Sequence, residues 1–353
     1  MQKARYEFLD GLRGLAALAV AALHASQAFG LDYRPHHASL AVDFFFCLSG
    51  FVIAHAYDRR LAEGMTLRDF AGRRLVRLYP MIVLGVGLGW LAAALAASPS
   101  DGRLAAFAAA GLALVPLGLF FQQHAFPLNN PMWSLVFELA ANGAYALQRR
   151  RGGSSRPVAL TLLLASGLGL ALLARYAGTI DYIGFNSLQT FPFGLVRVLY
   201  PFLAGVLIHR YALGRVSVSA PGWVLVLALG AILMTPGFPR AWAYDSAAIL
   251  LAFPLVVALG ARVETTGAAA RAWSLAGALS YPFYLIHQPV LKVMALVWER
   301  LPQTACPAPL AAAAGLLVAG AASYLALKLY DLPGRRWLGG RPATRLAAEP
   351  ARS

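Results

Sequence analysis

An aspartate, an arginine and a histidine sit inside one apolar run, LDGLRGLAALAVAALHA, from Leu9 to Ala25. A charged side chain near the middle of a bilayer costs about 2.5–3.5 kcal/mol on insertion scales, so such groups point to function when the run is membrane-embedded. Arg13 and His24 are eleven positions apart. At 100° per residue that is about 20° past three full helical turns, so both project from one face. Asp10 precedes Arg13 by three positions, the spacing of a helix-surface ion pair, and is expected to hold that arginine.

Further polar residues interrupt other apolar stretches at similar depth. With a rise of 1.5 Å per residue, His24 lies about 24 Å from a helix start near Phe8, in the outer third of a core about 30 Å thick. From the opposite face Asp43 is about 6 Å deep, Glu138 about 9 Å and Ser49 about 15 Å; His287 reaches about 20 Å from a start near Ser274. An imidazole and a carboxylate in one layer are equipment for general acid–base catalysis. His24 is the expected base and Glu138 the group expected to orient it. Structural roles compete: His287 as an interhelical hydrogen-bonder, Asp43 and Ser49 as caps or helix glue, Glu138 as partner of Arg197 or Arg175.

A second cluster, AGRRLVRLYP, puts Arg73, Arg74 and Arg77 at the start of the third apolar stretch, with Arg73 and Arg77 four apart on one face. Guanidinium forks give phosphate planar, paired hydrogen bonds that a lysine cannot match. Arginines placed beside anionic lipid heads have the same pattern.

The elements that must carry these groups follow from composition. The chain has 353 residues, 59% hydrophobic and 13% charged, against roughly a quarter charged in soluble domains. This is an all-α polytopic membrane protein. At about 20 apolar residues per crossing, the stretches fall near 8–30, 39–57, 76–97, 104–121, 132–147, 157–176, 194–209, 222–235, 245–261, 274–297 and 308–330. The basic loops DRRLAEGMTLRDFAGRRLVR and QRRRGGSSRP both face the cytoplasm only if one stretch fails to cross. The expectation is therefore about ten transmembrane helices, with the Pro116-broken segment 104–121 re-entrant or surface-lying and both termini cytoplasmic. Residues 1–335 form the transmembrane domain and 336–353 a short, basic, disordered cytoplasmic tail.

Several classes are excluded or left open by the same reading. The net charge of +15 is spread over membrane-flanking loops without interleaved aromatics, so no nucleic-acid partner is expected. Cys47 and Cys306 supply neither a disulfide framework nor a metal-ligand spacing, and no metal site is expected. Residues 1–28 fit a retained first helix and also a secretory signal cleaved near Ser26-Gln27-Ala28; sequencing the mature N-terminus separates the two. A proton-coupled transporter or flippase would use buried Asp, Glu and His, but the internal repeats usual in transporters are not found.

Five motifs occur in order: LDGLRG-x9-H, D-FFF-LSGF, RR-x2-R-x-YP, N-x3-WSL-x2-E and Y-x2-YLIH-x-P. Together they resemble the membrane-bound acyltransferase-3 family, which O-acylates bacterial surface glycans, and the likeness spans nearly the whole chain. The resemblance implies an inner-membrane acyltransferase with no bound cofactor. Its co-substrate would be acyl-CoA, with acetyl-CoA first, and its acceptor a carbohydrate or lipid-linked glycan, or a small glycosylated metabolite. It ties Arg13, His24, Arg73, Arg77 and Glu138 to activity. Leu139 stands where many relatives carry a second acid, and no esterase-like domain is present, which suggests action on a lipid-linked or assembling sugar.

In the scheme this implies, Arg73, Arg74 and Arg77 hold the donor phosphates and His24 takes the acceptor proton. Arg13, about 16 Å from His24, contacts the donor, and Asp10, Asp43, Ser49 and His287 complete the substrate-binding set. Direct transfer and a covalent relay through Ser49 or His24 both fit. The loops GLDYRPHHAS and AGTIDYIGFNSLQTFPF carry Tyr, Asn, His and Gln suited to sugar hydroxyls. Oligomeric state is not legible.

Overall fold

The computed structural model describes residues 6–96, 102–211, 220–302 and 306–339. Among them the regular elements are helical, with thirteen α-helices joined by 3-10 turns and two π-helical segments. The first five are α1 (Glu7–Ala28), α2 (Ala41–Ala62), α3 (Leu67–Leu95), α4 (Arg103–Leu112) and α5 (Trp133–Arg150). There follow α6 (Arg156–Ala177), α7 (Gly194–Arg210), α8 (Gly222–Met234), α9 (Trp242–Ala247) and α10 (Phe253–Gly260). The chain closes with α11 (Gly267–Trp298), α12 (Ala308–Leu325) and α13 (Leu332–Leu338).

Seven helical stretches among the described residues are long and apolar enough to cross a membrane. They are α1, α2 with its preceding turn, α3, α6, α7 with its preceding turn, α9–α10, and α12–α13. The expected ten is not reached. α8 has 13 residues, and α5 carries Glu138, Asn142 and a basic last turn. α11 is 32 residues long but includes Ser280, His287, Gln288 and Lys292. α5 and α11 turn polar side chains toward other helices, and that polarity removes the continuous apolar signal a lipid-facing span would show. α4 has ten residues, about 15 Å or half the hydrocarbon core.

The chain reverses repeatedly, so one end of the bundle gathers the starts of α1, α3, α6 and α11 and the ends of α2, α5 and α7. Contacts fix this: Thr265 Oγ1 donates to Glu7 at 2.9 Å, Arg149 pairs with Asp58 at 2.9 Å, and Arg210 lies 4.0 Å from Asp58. Thr66 caps α3 there by accepting the Asp69 N–H at 3.0 Å. This is the arginine-rich end.

Two helix seams decide where the polar residues meet. α1 and α11 run parallel and very close, because their contact positions are small. A Cβ on Gly11 would lie 2.0 Å from Trp273, one on Gly14 2.8 Å from the Ala276 carbonyl, and one on Gly277 2.5 Å from Asp10. The α2–α7 seam uses Gly50 and Gly205 in the same way, against the Phe202 and Cys47 carbonyls. Inside α11, Pro289 has no N–H for the Leu285 carbonyl. Asn129 Nδ2 donates to that carbonyl at 2.6 Å, which ties the start of the α5 region to α11.

The C-terminal boundary differs from expectation. Arg336 and Trp337 belong to α13, which also holds Arg335. Pro333 suits the first turn of this helix. The rest of the expected tail, residues 340–353, lies outside the described residues.

Candidate active site

A cavity of about 480 Å³ opens between α1, α2, α3, α5, α11 and the α12–α13 segment. Its wall toward the arginine-rich end carries Arg13, Arg74, Arg77 and Arg335, opposed by Asp10 and Glu138. Arg13 is fixed on three sides: Nε donates to Ser280 Oγ at 2.7 Å, Nη2 to the Gly277 carbonyl at 2.8 Å, and Asp10 Oδ1 is 3.0 Å away. The three-residue spacing of Asp10 and Arg13 thus forms the ion pair it predicts.

Arg74 is buried and its Nη2 donates to Glu138 Oε1 at 2.9 Å. Ser49 Oγ donates to the same oxygen at 2.8 Å. The buried Arg74 Nε finds no acceptor among the described residues, which leaves a donor for an anionic ligand. Arg77 lines the cavity beside it and is solvent-accessible. Arg335 enters from α13, its Nε donating to Asp331 Oδ1 at 2.8 Å. Asp331 is the last residue of the π-helical segment Ala326–Asp331, a wide turn of the kind often found at functional sites.

Three expected roles are corrected by these contacts. Arg73 is exposed and does not line the cavity. Arg74 and Arg77 both line the cavity, so they, not Arg73 with Arg77, make the pair. Glu138 does not orient His24; Arg74 and Ser49 occupy it. Asp43 is not a substrate ligand. It is fully buried and accepts from Arg197 Nε at 3.0 Å and Nη2 at 2.7 Å. Arg197 spends its other donors on the Ile180, Ile183 and Ser39 carbonyls and lies 5.2 Å from the Trp133 ring centroid. A bidentate pair with every guanidinium donor filled is a structural device.

Away from the arginines the cavity is lined by Val42, Phe45, Ser134 and Tyr284, and the Phe45 and Tyr284 rings meet edge-on at 5.5 Å. Tyr284 is pinned, its hydroxyl 2.9 Å from Ser134 Oγ and 3.0 Å from the Pro131 carbonyl. His287 follows three residues later, about 4.5 Å farther along α11. Neither His287 nor His24 lines the cavity.

The two imidazoles meet across the α1–α11 seam, His24 Nδ1 lying 2.7 Å from His287 Nε2. Hydrogen-bond chemistry assigns their tautomers. His287 Nδ1 is 2.9 Å from the Phe283 carbonyl, which can only accept, so that nitrogen carries the proton. In the neutral ring Nε2 is then the acceptor, and His24 Nδ1 must donate to it. His24 Nε2 is left with a lone pair. This is the arrangement of a base held by a second group, with His287 in the orienting position.

Lys292 Nζ donates to the Pro127 carbonyl at 3.1 Å. His124 lies in the connection between α4 and α5, where burial and then the Lys292 ammonium hold its imidazole below the usual value.

Sequence reasoning missed Arg335, Tyr281 and Tyr284. The DLPGR segment did hold a signal for Arg335: a proline at a helix start and an acid four residues before the arginine. The two tyrosines stand three apart in YPFYLIHQP, about 60° from each other around α11, with His287 about 60° beyond Tyr284.

The observation that decides membership is the extent of the match to one family model. That model, described as an acyltransferase domain, covers residues 6–328, from the first described turn of α1 to the π-helical segment that sets up Arg335.

The chain belongs to the acyltransferase-3 family.

It is therefore an acyltransferase with a helical membrane architecture. Among named relatives it is 30% identical over 384 residues to acyltransferase MdmB of Streptomyces mycarofaciens, covering 98% of this chain and 96% of the relative. It is 28% identical over 317 residues to the exopolysaccharide production protein ExoZ of Rhizobium meliloti (strain 1021), covering 86% and 92%. A third relative, protein 2 in the picA locus of Rhizobium radiobacter, is 37% identical over 190 residues, 49% of this chain and 95% of its own. No solved structure matches the acyltransferase significantly.

Proposed function

We propose that this acyltransferase moves an acyl group, acetyl first among candidates, from cytoplasmic acyl-CoA to a hydroxyl of a surface or lipid-linked carbohydrate. The observation that carries the reading is the polarity of the site along the bundle. A cavity faced by four arginines runs from the arginine-rich end to within one helical turn of His287, and His287 in turn holds His24 with its Nε2 free to take a proton. An excess of guanidinium over carboxylate, with one buried N–H unspent, suits the phosphates of a coenzyme A thioester. The positive-inside rule puts that end, and with it both termini, in the cytoplasm of a bacterial inner-membrane protein. ExoZ, named for exopolysaccharide production, supports a glycan acceptor.

In this mechanism His24 Nε2 removes the acceptor hydroxyl proton as its oxygen attacks the thioester carbonyl. The C–S bond breaks, the new ester leaves, and the thiolate takes the proton back from His24 as free CoA thiol. His287 holds His24 in the required tautomer. Arg74 and Arg77 bind donor phosphate, Arg13 and Arg335 add charge along the path, and Glu138 with Ser49 fixes Arg74. In this reading the acyl arm passes Phe45 rather than Tyr284, because the Tyr284 hydroxyl is held by Ser134 Oγ and the Pro131 carbonyl.

The test is purified enzyme with acetyl-CoA and saccharide, read as free thiol and as ester on the sugar. Wild type should produce both and His24→Ala neither, while His24→Ala keeps its folded elution profile. Ester formation by His24→Ala at the wild-type rate removes the base. Wild type releasing no thiol with any short-chain acyl-CoA removes the reading.

A further inference from the structure

A second cleft, of about 450 Å³, lies at the end of the bundle opposite the arginines and has no part in the site above. Three connections build it: residues 29–40 between α1 and α2, 178–193 between α6 and α7, and 235–241 between α8 and α9. We infer that this cleft binds a pyranose unit of the acceptor glycan, with Tyr182 and Phe238 as platforms and Asp181, His36 and Arg240 as hydroxyl partners. The inference rests on the acyl-transfer reading for the word acceptor; the binding it asserts can be measured without it.

The cleft is built on a rigid floor. His37 is buried, its Nδ1 3.1 Å from the Thr235 carbonyl and its Nε2 3.5 Å from Asp245 Oδ1. Asp245 Oδ2 accepts from Thr179 Oγ1 and from the Ile180 N–H, each at 2.9 Å. One buried His–Asp pair therefore ties together a residue from each of the three connections. The Trp242 N–H closes the ring on the Gly178 carbonyl at 3.1 Å. Loops pinned this way hold their rim side chains without ordering cost on binding.

The rim has the chemistry a pyranose needs. Tyr182 and Phe238 are 53% and 45% exposed, large rings open to water at a cleft mouth. The negative face of such a ring suits the C–H face of a sugar and covers it without a hydrogen-bond demand. Asp181 Oδ2 stands 3.9 Å from His36 Nδ1, too long for a hydrogen bond, so an intervening hydroxyl could serve both. Arg240 adds a guanidinium fork to the lining from a left-handed backbone, φ +57°, a conformation costly for a residue with a Cβ and typical of functional positions. Position fits as well. The connection that brings His36 follows directly from α1, twelve residues after His24 and at the same end, and Tyr33 Oη donates to the Met234 carbonyl to hold it there.

Saturation-transfer NMR of the full chain in nanodiscs, with gluco- and galacto-oligosaccharides of two to four units as probes, reads binding directly. Wild type should transfer saturation to at least one probe, and Tyr182→Ala/Phe238→Ala should lose at least fivefold of it while eluting as folded protein. Asp181→Asn, which keeps shape, should raise the acceptor KM at least fivefold and leave the acyl-CoA KM unmoved. No saturation of any probe by wild type overturns the inference. So does ester transfer with an unchanged acceptor KM in both variants, which leaves the transferase reading standing. Saccharide binding by a wild type that transfers no acyl group keeps the cleft as a glycan site and removes the proposed function instead.

Discussion

His24 Nδ1 lies 2.7 Å from His287 Nε2 across the glycine-lined seam of α1 and α11, and this contact decides which nitrogen of His24 can act as a base. Removing the acceptor at His287 frees the His24 ring to take the other tautomer. His287→Ala should lower kcat by about 10²–10⁴-fold with the acyl-CoA KM unchanged. His287→Gln keeps an oxygen able to accept from Nδ1 and should recover part of the loss. Equal rates for the two variants would show that His287 only fills space.

The arginines are separable by donor kinetics. A charge-assisted hydrogen bond contributes about 1.5–3 kcal/mol, so Arg74→Ala and Arg77→Ala should each raise the acyl-CoA KM by roughly 10- to 150-fold. Arg73→Ala, exposed and outside the cavity, should leave it within twofold. An equal effect at all three positions would point to a general surface field instead.

Asp43 tests stability. Asp43→Ala leaves the Arg197 guanidinium buried without its carboxylate, a loss of about 3–5 kcal/mol, visible as a lower unfolding midpoint in detergent. Asp43→Ala/Arg197→Met removes both charges and should recover much of that loss.

Phe45 tests the path between the cavity and the histidines. Phe45→Ala should raise acceptor-independent hydrolysis of acyl-CoA several-fold by opening the way past Tyr284. Phe45→Trp should slow transfer. Thiol release measured without saccharide reads the first, and ester formation reads the second.

What could be deduced without coordinates was local. The Asp10–Arg13 pair and the shared face of Arg13 and His24 follow from helix periodicity, and both residues do meet α11, Arg13 at Ser280 and His24 at His287. Depth along the bilayer put Glu138 near the level of His24, yet depth carries no information about which helices are neighbours. α5 packs on α2, α3 and α7, so Glu138 faces Ser49 and Arg74. By sequence Arg197 is a candidate partner for Glu138, but α7 lies against α2 and gives it to Asp43.

From the order of its residues alone, this is a helical membrane protein whose five ordered motifs resemble an acyltransferase family, and its polar groups take defined heights on defined helix faces because 3.6-residue periodicity and the cost of burying charge act within single segments. Its partnerships came only with tertiary structure: His24 with His287, Glu138 with Arg74, Asp43 with Arg197, Arg335 in the cavity wall. The physical reason is that hydrogen bonds act over about 3 Å, and close approach at Gly11, Gly14 and Gly277 is what places residues more than 260 positions apart within that range.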